Sequence, residues 1–201
     1  MRNALRWGLI ACLVGVYALT LMAVLRPKVS AAYKSFYIKR TSSEWNPTHY
    51  PAVLQDGILF TRPGLPAWVE QVYGFSWREP WGRWTDDTYG PVAGLVLAEP
   101  VRGPFCVELT AKPSRAMSNS FVVRLGKQSQ AVQVKPGDPA IYYVQFNGMQ
   151  WANRLEFVMP KDLPPESNFD PKSADARRLG MLMVYLKMTP GQCASGPGHQ
   201  P

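Results

Sequence analysis

Nineteen prolines and sixteen glycines are spread through this 201-residue chain and cut it into short segments. Proline removes a backbone donor and glycine weakens any regular element, so a bundle of long helices is excluded. Between the breaks lie short apolar or alternating runs at residues 57–61, 68–75, 92–98, 105–111, 121–125, 131–135, 141–147, 155–159 and 181–188. In the fourth run Phe105, Val107, Leu109 and Ala111 alternate with Cys106, Glu108 and Thr110, the period of two of a half-buried strand. Good turn chemistry separates the runs, as in Lys135-Pro136-Gly137-Asp138-Pro139 and Asn147-Gly148. About nine short strands at this spacing predict an all-β fold, a jelly-roll-like β-sandwich.

One segment departs from this pattern. From Trp7 to Leu25 no charge occurs, and as a helix rising about 1.5 Å per residue this run just crosses a hydrocarbon core of about 30 Å. Trp7 stands at one edge, Tyr33, Phe36 and Tyr37 follow the other, and Arg26-Pro27 ends the run, as expected of a transmembrane signal anchor with interfacial aromatics. The rival is a cleaved signal peptide ending near Val29-Ser30-Ala31, but the apolar run is longer than usual and Arg26 and Lys28 interrupt the approach. The expected organisation is an anchor at 1–25, a membrane-proximal linker at 26–50, a β-sandwich at 51–190 and a tail at 191–201.

The net charge of +8 comes almost entirely from the first 40 residues, which hold Arg2, Arg6, Arg26, Lys28, Lys34, Lys39 and Arg40 and no acid. Residues 41–201 carry fifteen basic and fourteen acidic side chains. A nucleic-acid partner is therefore not expected, because the globular part lacks a basic surplus of its own. Basic residues flank both ends of the apolar run, and taken alone the larger C-terminal cluster places the globular part in the cytoplasm. Against that, Cys106 and Cys193 form a disulfide pair if the compartment is oxidising; they are otherwise two unpaired thiols. Orientation stays open at this point.

The densest chemistry lies between Gly74 and Asp87, where Trp77, Trp81 and Trp84 are interleaved with Arg78, Glu79, Arg83, Asp86 and Asp87. Indole faces stack on the apolar faces of sugars, and carboxylates and guanidinium groups bond to hydroxyls, so this mixture suits a glycan surface. The expected ligand contacts are Trp77, Glu79, Trp81, Arg83, Trp84 and Asp86. The alternative is structural, with tryptophans plugging the end of the sandwich and Arg–Glu pairs clamping a loop. Asp175 and Arg177, just before the last run, are expected as supporting residues that bond the preceding loop or join the tryptophan-rich stretch. No catalytic residue, metal site or cofactor is expected: Ser76 lacks the second glycine of a nucleophile elbow, His49 and His199 have no metal-ligand spacing, and no phosphate-cradling loop occurs. Glu79 and Asp86 are a candidate carboxylate pair for an enzyme acting on glycans, a description that any two carboxylates in a loop would fit.

Gly74-Phe75-Ser76-Trp77-Arg78-Glu79-Pro80-Trp81-Gly82-Arg83-Trp84-Thr85-Asp86 is similar to a G-x-S-x-x-E-x-W-G-R-W-[ST]-[DE] signature, and Asp175-Ala176-Arg177-Arg178-Leu179-Gly180 to a later D-x-R-x-L-G element. These motifs resemble a bacterial family of carbohydrate-binding-like jelly-roll domains of unknown function, associated with membrane glycosyltransferases and phosphoglycerol transferases. The resemblance covers roughly residues 55–190, with Asp87 where glycine is expected. It implies an inner-membrane protein with its β-sandwich in the periplasm, binding a glycan or lipid-linked glycan as an accessory to surface-polysaccharide synthesis. The rival implication is a module that docks on a membrane glycosyltransferase without binding sugar.

Overall fold

The computed structural model describes residues 2–25, 33, 38, 48–117, 120–170 and 172–194. The chain divides into two compact units, residues 1–34 and 35–201. In the first, helix α1 spans Arg2–Leu25, with Trp7, Leu13, Tyr17 and Met22 among its exposed side chains. Among the described residues no helix is long and apolar enough to cross a membrane. Most of the expected linker at 26–50 lies outside the described residues. Its end, His49–Tyr50, forms strand β1.

The second unit is a β-sandwich. After β1 come β2 (Ile58–Leu59), β3 (Leu65–Pro66), β4 (Val69–Tyr73), β5 (Phe75–Glu79), β6 (Gly82–Asp86), β7 (Val92–Val101), β8 (Phe105–Pro113), β9 (Ser120–Leu125), β10 (Gln128–Gln133), β11 (Ala140–Phe146), β12 (Ala152–Val158) and β13 (Leu179–Pro190). One sheet has the order β10-β9-β12-β7-β4; the other has β11-β8-β13-β6-β5, with β2 also paired to β13, and β1 pairs with β3 apart from both. From β4 onward the chain passes repeatedly from one sheet to the other, so the neighbours of β13 and β12 are distant in sequence, as in a jelly roll. The inward sides meet in one core that includes Phe75, Leu95, Leu109, Phe121, Phe146, Phe157 and Met183, all 2% exposed or less. The alternation in β8 is real: Phe105, Val107, Leu109 and Ala111 belong to this core, and Glu108, Thr110 and Lys112 are half-buried on the outward side.

Several strand boundaries differ from the sequence reading. Residues 68–75 are not one strand, because the chain changes sheets at Gly74, whose φ is 73°. A Cβ there would lie 2.5 Å from the Val92 carbonyl oxygen and 2.6 Å from the Ala93 Cα, so only glycine makes this switch without strain. The run at 131–135 starts earlier, because β10 forms a tight hairpin with β9 in which Gln128 faces Leu125. The run at 181–188 also extends in both directions: β13 begins at Leu179, and Thr189 and Pro190 belong to it, facing Cys106 and Phe105. Residues 195–201 lie outside the described residues.

Cys106, at the start of β8, is joined to Cys193, just past β13, with a Cα–Cα distance of 4.8 Å. Gln145 of β11 fastens the same end. Its Oε1 accepts the Cys193 N–H at 2.6 Å, and its Nε2 donates to the Gly191 carbonyl at 3.3 Å. The bridge closes a loop of 87 residues, so it removes much chain entropy from the unfolded state. Replacing both cysteines by serine is expected to lower the unfolding free energy by about 2–5 kcal/mol, measured by denaturant titration of the full chain. An unchanged midpoint would show that Gln145 and the β8–β13 pairing suffice.

Candidate functional site

The tryptophan-rich stretch forms a hairpin at the edge of the six-stranded sheet. β5 and β6 pair antiparallel, Glu79 faces Gly82, and Pro80-Trp81 forms the tip. Gly82, at φ 150°, passes so close to the Met183 carbonyl of β13 that a Cβ would collide with it. The motif therefore includes residues whose work is to seat the hairpin against β13. Thr85 Oγ1 accepts the Met181 N–H at 2.8 Å, and the Asp86 N–H donates to the Gly74 carbonyl at 2.9 Å.

Arg177 brings the two motifs together. Its Nε lies 2.9 and 3.0 Å from the two Asp175 carboxylate oxygens, and its Nη2 donates to Asp175 Oδ2 at 2.6 Å. Nη1 donates to Glu79 Oε1 at 2.9 Å and to Ser76 Oγ at 3.2 Å. The guanidinium carbon sits 4.0 Å from the centroid of the Trp77 ring, a cation–π contact. Glu79 uses its other oxygen to accept the Trp84 indole N–H at 3.2 Å. Burial pulls the Arg177 pKa down, but the hydrogen bonds and charges of Asp175 and Glu79 outweigh it and hold the guanidinium above its ordinary value. The Arg177 hydrogen bonds hold the Asp175 carboxyl below its ordinary value, against its partial burial.

The expected site residues separate into three groups. Trp77 and Trp81 are 45% and 57% exposed. Trp84, Glu79, Asp175 and Arg177 are half-buried and linked to one another. Arg83 and Asp86 do not belong with them as ligand contacts. Arg83 is fully buried and in register with the core residue Met183. Asp86 is 3% exposed, and its Oδ1 accepts the Thr88 N–H at 3.0 Å, capping a short 3-10 turn at Asp87–Tyr89. Burial raises the Asp86 pKa, with the Thr88 bonds and more distant charge opposing. At the position where glycine is expected, Asp87 opens that turn and its N–H donates to the Arg178 carbonyl at 2.8 Å.

Neither member of the Glu79–Asp86 pair is free: one carboxylate holds Arg177 and Trp84, and the other caps a turn. Among the described residues no group of three or more His, Cys, Asp or Glu side chains is placed to hold a metal ion. The sequence reading misses Lys112, Arg115, Glu166 and Asp170, which gather around Trp84. They lie in or beside segments that read as turn or loop, and no spacing signal connects them.

Asp175→Asn is expected to destabilise the fold by about 1–3 kcal/mol, because a charge-assisted bidentate bond to a half-buried cation is lost. A folded-state pKa below the unfolded value contributes stability that is present above the ordinary carboxylate range and is lost as pH falls through the folded pKa. Wild-type stability is therefore expected to fall as pH drops below about 4, by more than that of Asp175→Asn, in thermal melts across acid pH. Parallel profiles would refute the assigned role of Asp175.

No curated protein matches the chain. Among solved structures, it overlaps a variant of a family 29 carbohydrate-binding module with a TM-score of 0.40 and 14% identity, covering 67% of this chain and 91% of that one. It also overlaps the apo carbohydrate-binding module CBM1 of BiXyn10A with a TM-score of 0.36 and 9% identity, covering 70% of this chain and all of that one. These overlaps are coarse, and the site is read from its own residues. A family model covers residues 44–190, the hairpin and the Arg177 segment included, and the chain belongs to that family, the domain of unknown function DUF7024.

Proposed function

We propose that this protein is a membrane-anchored, extracytoplasmic β-sandwich that binds a glycan or lipid-linked glycan, without catalysis, as an accessory to surface-polysaccharide synthesis in the bacterial envelope. The observation that carries the reading is the hairpin surface: Trp77 and Trp81 are exposed, and Trp77 lies against a guanidinium that carboxylates hold in a fixed position. Exposed indoles beside ordered polar groups provide stacking faces and directional bonds together, as saccharide recognition requires. The uncharged run from Trp7 to Leu25 with basic flanks supports an anchor. The disulfide supports an oxidising compartment, hence a periplasmic domain.

One observation favours a second reading, in which the domain docks on a membrane glycosyltransferase and binds no sugar. The polar groups of the motif already satisfy one another: Arg177 is held by Asp175, Glu79 and Ser76, and Glu79 also by Trp84. On this reading the exposed indoles meet protein.

The full chain in detergent, applied to an array of bacterial oligosaccharides, is expected to bind, and Trp81→Ala is expected to weaken that binding roughly tenfold. No binding by either form, with a partner captured by crosslinking in native membranes through Trp81, would favour docking instead. Alkaline phosphatase fused after residue 190 is expected to be active in cells. Activity of a cytoplasmic reporter at the same site would overturn the periplasmic assignment.

A further inference from the structure

A pocket of about 490 Å³ opens beside the clamp, lined by Trp84, Lys112, Pro113, Arg115, Glu166 and Asp170, with Ser114, Pro136, Gly137 and Ser173 completing the wall. Strand register places two of its lining residues, Trp84 and Lys112. Trp84 of β6, Leu182 of β13 and Lys112 of β8 stand side by side in one row, and Leu182 is 1% exposed. Two strand spacings separate Trp84 from Lys112 by about 10 Å, the scale of a single sugar ring with its substituents. The size falls in the range of small-ligand sites, roughly 300–1,000 Å³.

We infer that this pocket is a subsite for a neutral saccharide, separate from the exposed indoles at the hairpin tip. The inference rests on the glycan reading above and names where a sugar unit is held. Two cations, Lys112 and Arg115, and two carboxylates, Glu166 and Asp170, give the lining no net charge, so it offers no field that selects an anion. Ammonium and guanidinium groups donate to ligand oxygens, and carboxylates accept from ligand hydroxyls. A ring that carries many hydroxyls is donor and acceptor at once and uses both. The indole and two proline rings give its C–H face an apolar wall.

The walls are set before any ligand arrives. The Trp84 indole is held by Glu79, which Arg177 holds in turn. The loop wall is tied to the same clamp, because the Glu166 N–H donates to the Arg177 carbonyl and the Ser167 N–H to the Asp175 carbonyl, each at 2.9 Å. On the other side Ser114 Oγ donates to the Leu179 carbonyl at 2.6 Å, and the Ser114 N–H donates to the Gly180 carbonyl at 2.7 Å. A prearranged pocket loses less on binding than one that must order itself.

Calorimetric titration of the full chain in detergent tests this with hexose and N-acetylhexosamine mono- and disaccharides, and with uronate disaccharides of equal size. The neutral sugars are expected to bind. Lys112→Ala/Glu166→Gln is expected to weaken them at least tenfold, and so is Asp170→Ala, a single change at an exposed rim position where Oδ1 accepts the Lys172 N–H at 3.0 Å and the second carboxylate oxygen is left for a ligand hydroxyl. Trp151→Ala, which removes an exposed indole outside both pocket and hairpin, is expected to leave the affinity unchanged. Near-UV circular dichroism identifies any variant that has lost its fold, and the folded variant then decides. Saccharide binding that is lost in Trp81→Ala but undiminished in the pocket variants would overturn the subsite and leave the glycan reading standing. Tighter binding of the uronates would overturn the neutral assignment. Absence of saccharide binding by the folded wild type, for short and long sugars alike, would overturn both.

Discussion

One half-buried guanidinium organises this end of the sandwich. Arg177 lies 98 residues from Glu79 in sequence, yet it bonds that carboxylate, Asp175 and Ser76 and covers one face of Trp77. Taking a guanidinium out of water is costly unless its donors are matched, and here a bidentate carboxylate and a second carboxylate match them. Once Arg177 is fixed, much else follows. Glu79 is oriented to receive the Trp84 indole, the Trp77 ring lies against the cation, and the carbonyls of Asp175 and Arg177 tie down the long loop at Ser167 and Glu166.

Such a network constrains what a ligand can use. Groups already committed to each other exchange one good partner for another when a ligand arrives, with little gain. Recognition is left to surfaces the network positions but does not occupy: the outer faces of Trp77 and Trp81, the Trp84 ring in its pocket, and the ions of the pocket rim. The motif is thus largely a scaffold. Gly74, Gly82, Thr85 and the buried Arg83 and Asp86 seat the hairpin, and the tryptophans are what it presents.

Much of the fold is legible in the sequence, for reasons that differ by element. β8 reads clearly because one side of it faces the core and the other, apart from the bridged Cys106, is only half-buried. Residues 68–75 misread as one strand because apolar character continues across Gly74, and only the positive φ there marks the change of sheet. The hairpin is masked by its own chemistry, since charges and tryptophans in close sequence resemble a loop. Arg83 misleads because a charged side chain ordinarily lies at the surface, whereas the register with Met183 points it inward. The role of Asp86 is readable in principle from Thr88 two positions on, an Asx-type cap. The pocket is not readable at all, because four separated segments supply its walls and only the assembled sheet brings them together.

The covalent link between Cys106 and Cys193 has a mechanical consequence. Antiparallel strands pulled from one end part like a zipper, one hydrogen-bonded pair after another, with little resistance. Here the sulfur bridge joins β8 and β13 at the end of their ladder nearest Cys193, so tension applied beyond Cys193 is shared by both strands and does not pull them apart from that end. A tug on the C-terminal end thus cannot peel β13 from β8 pair by pair, and has to move the two joined strands together against their neighbours β11 and β6.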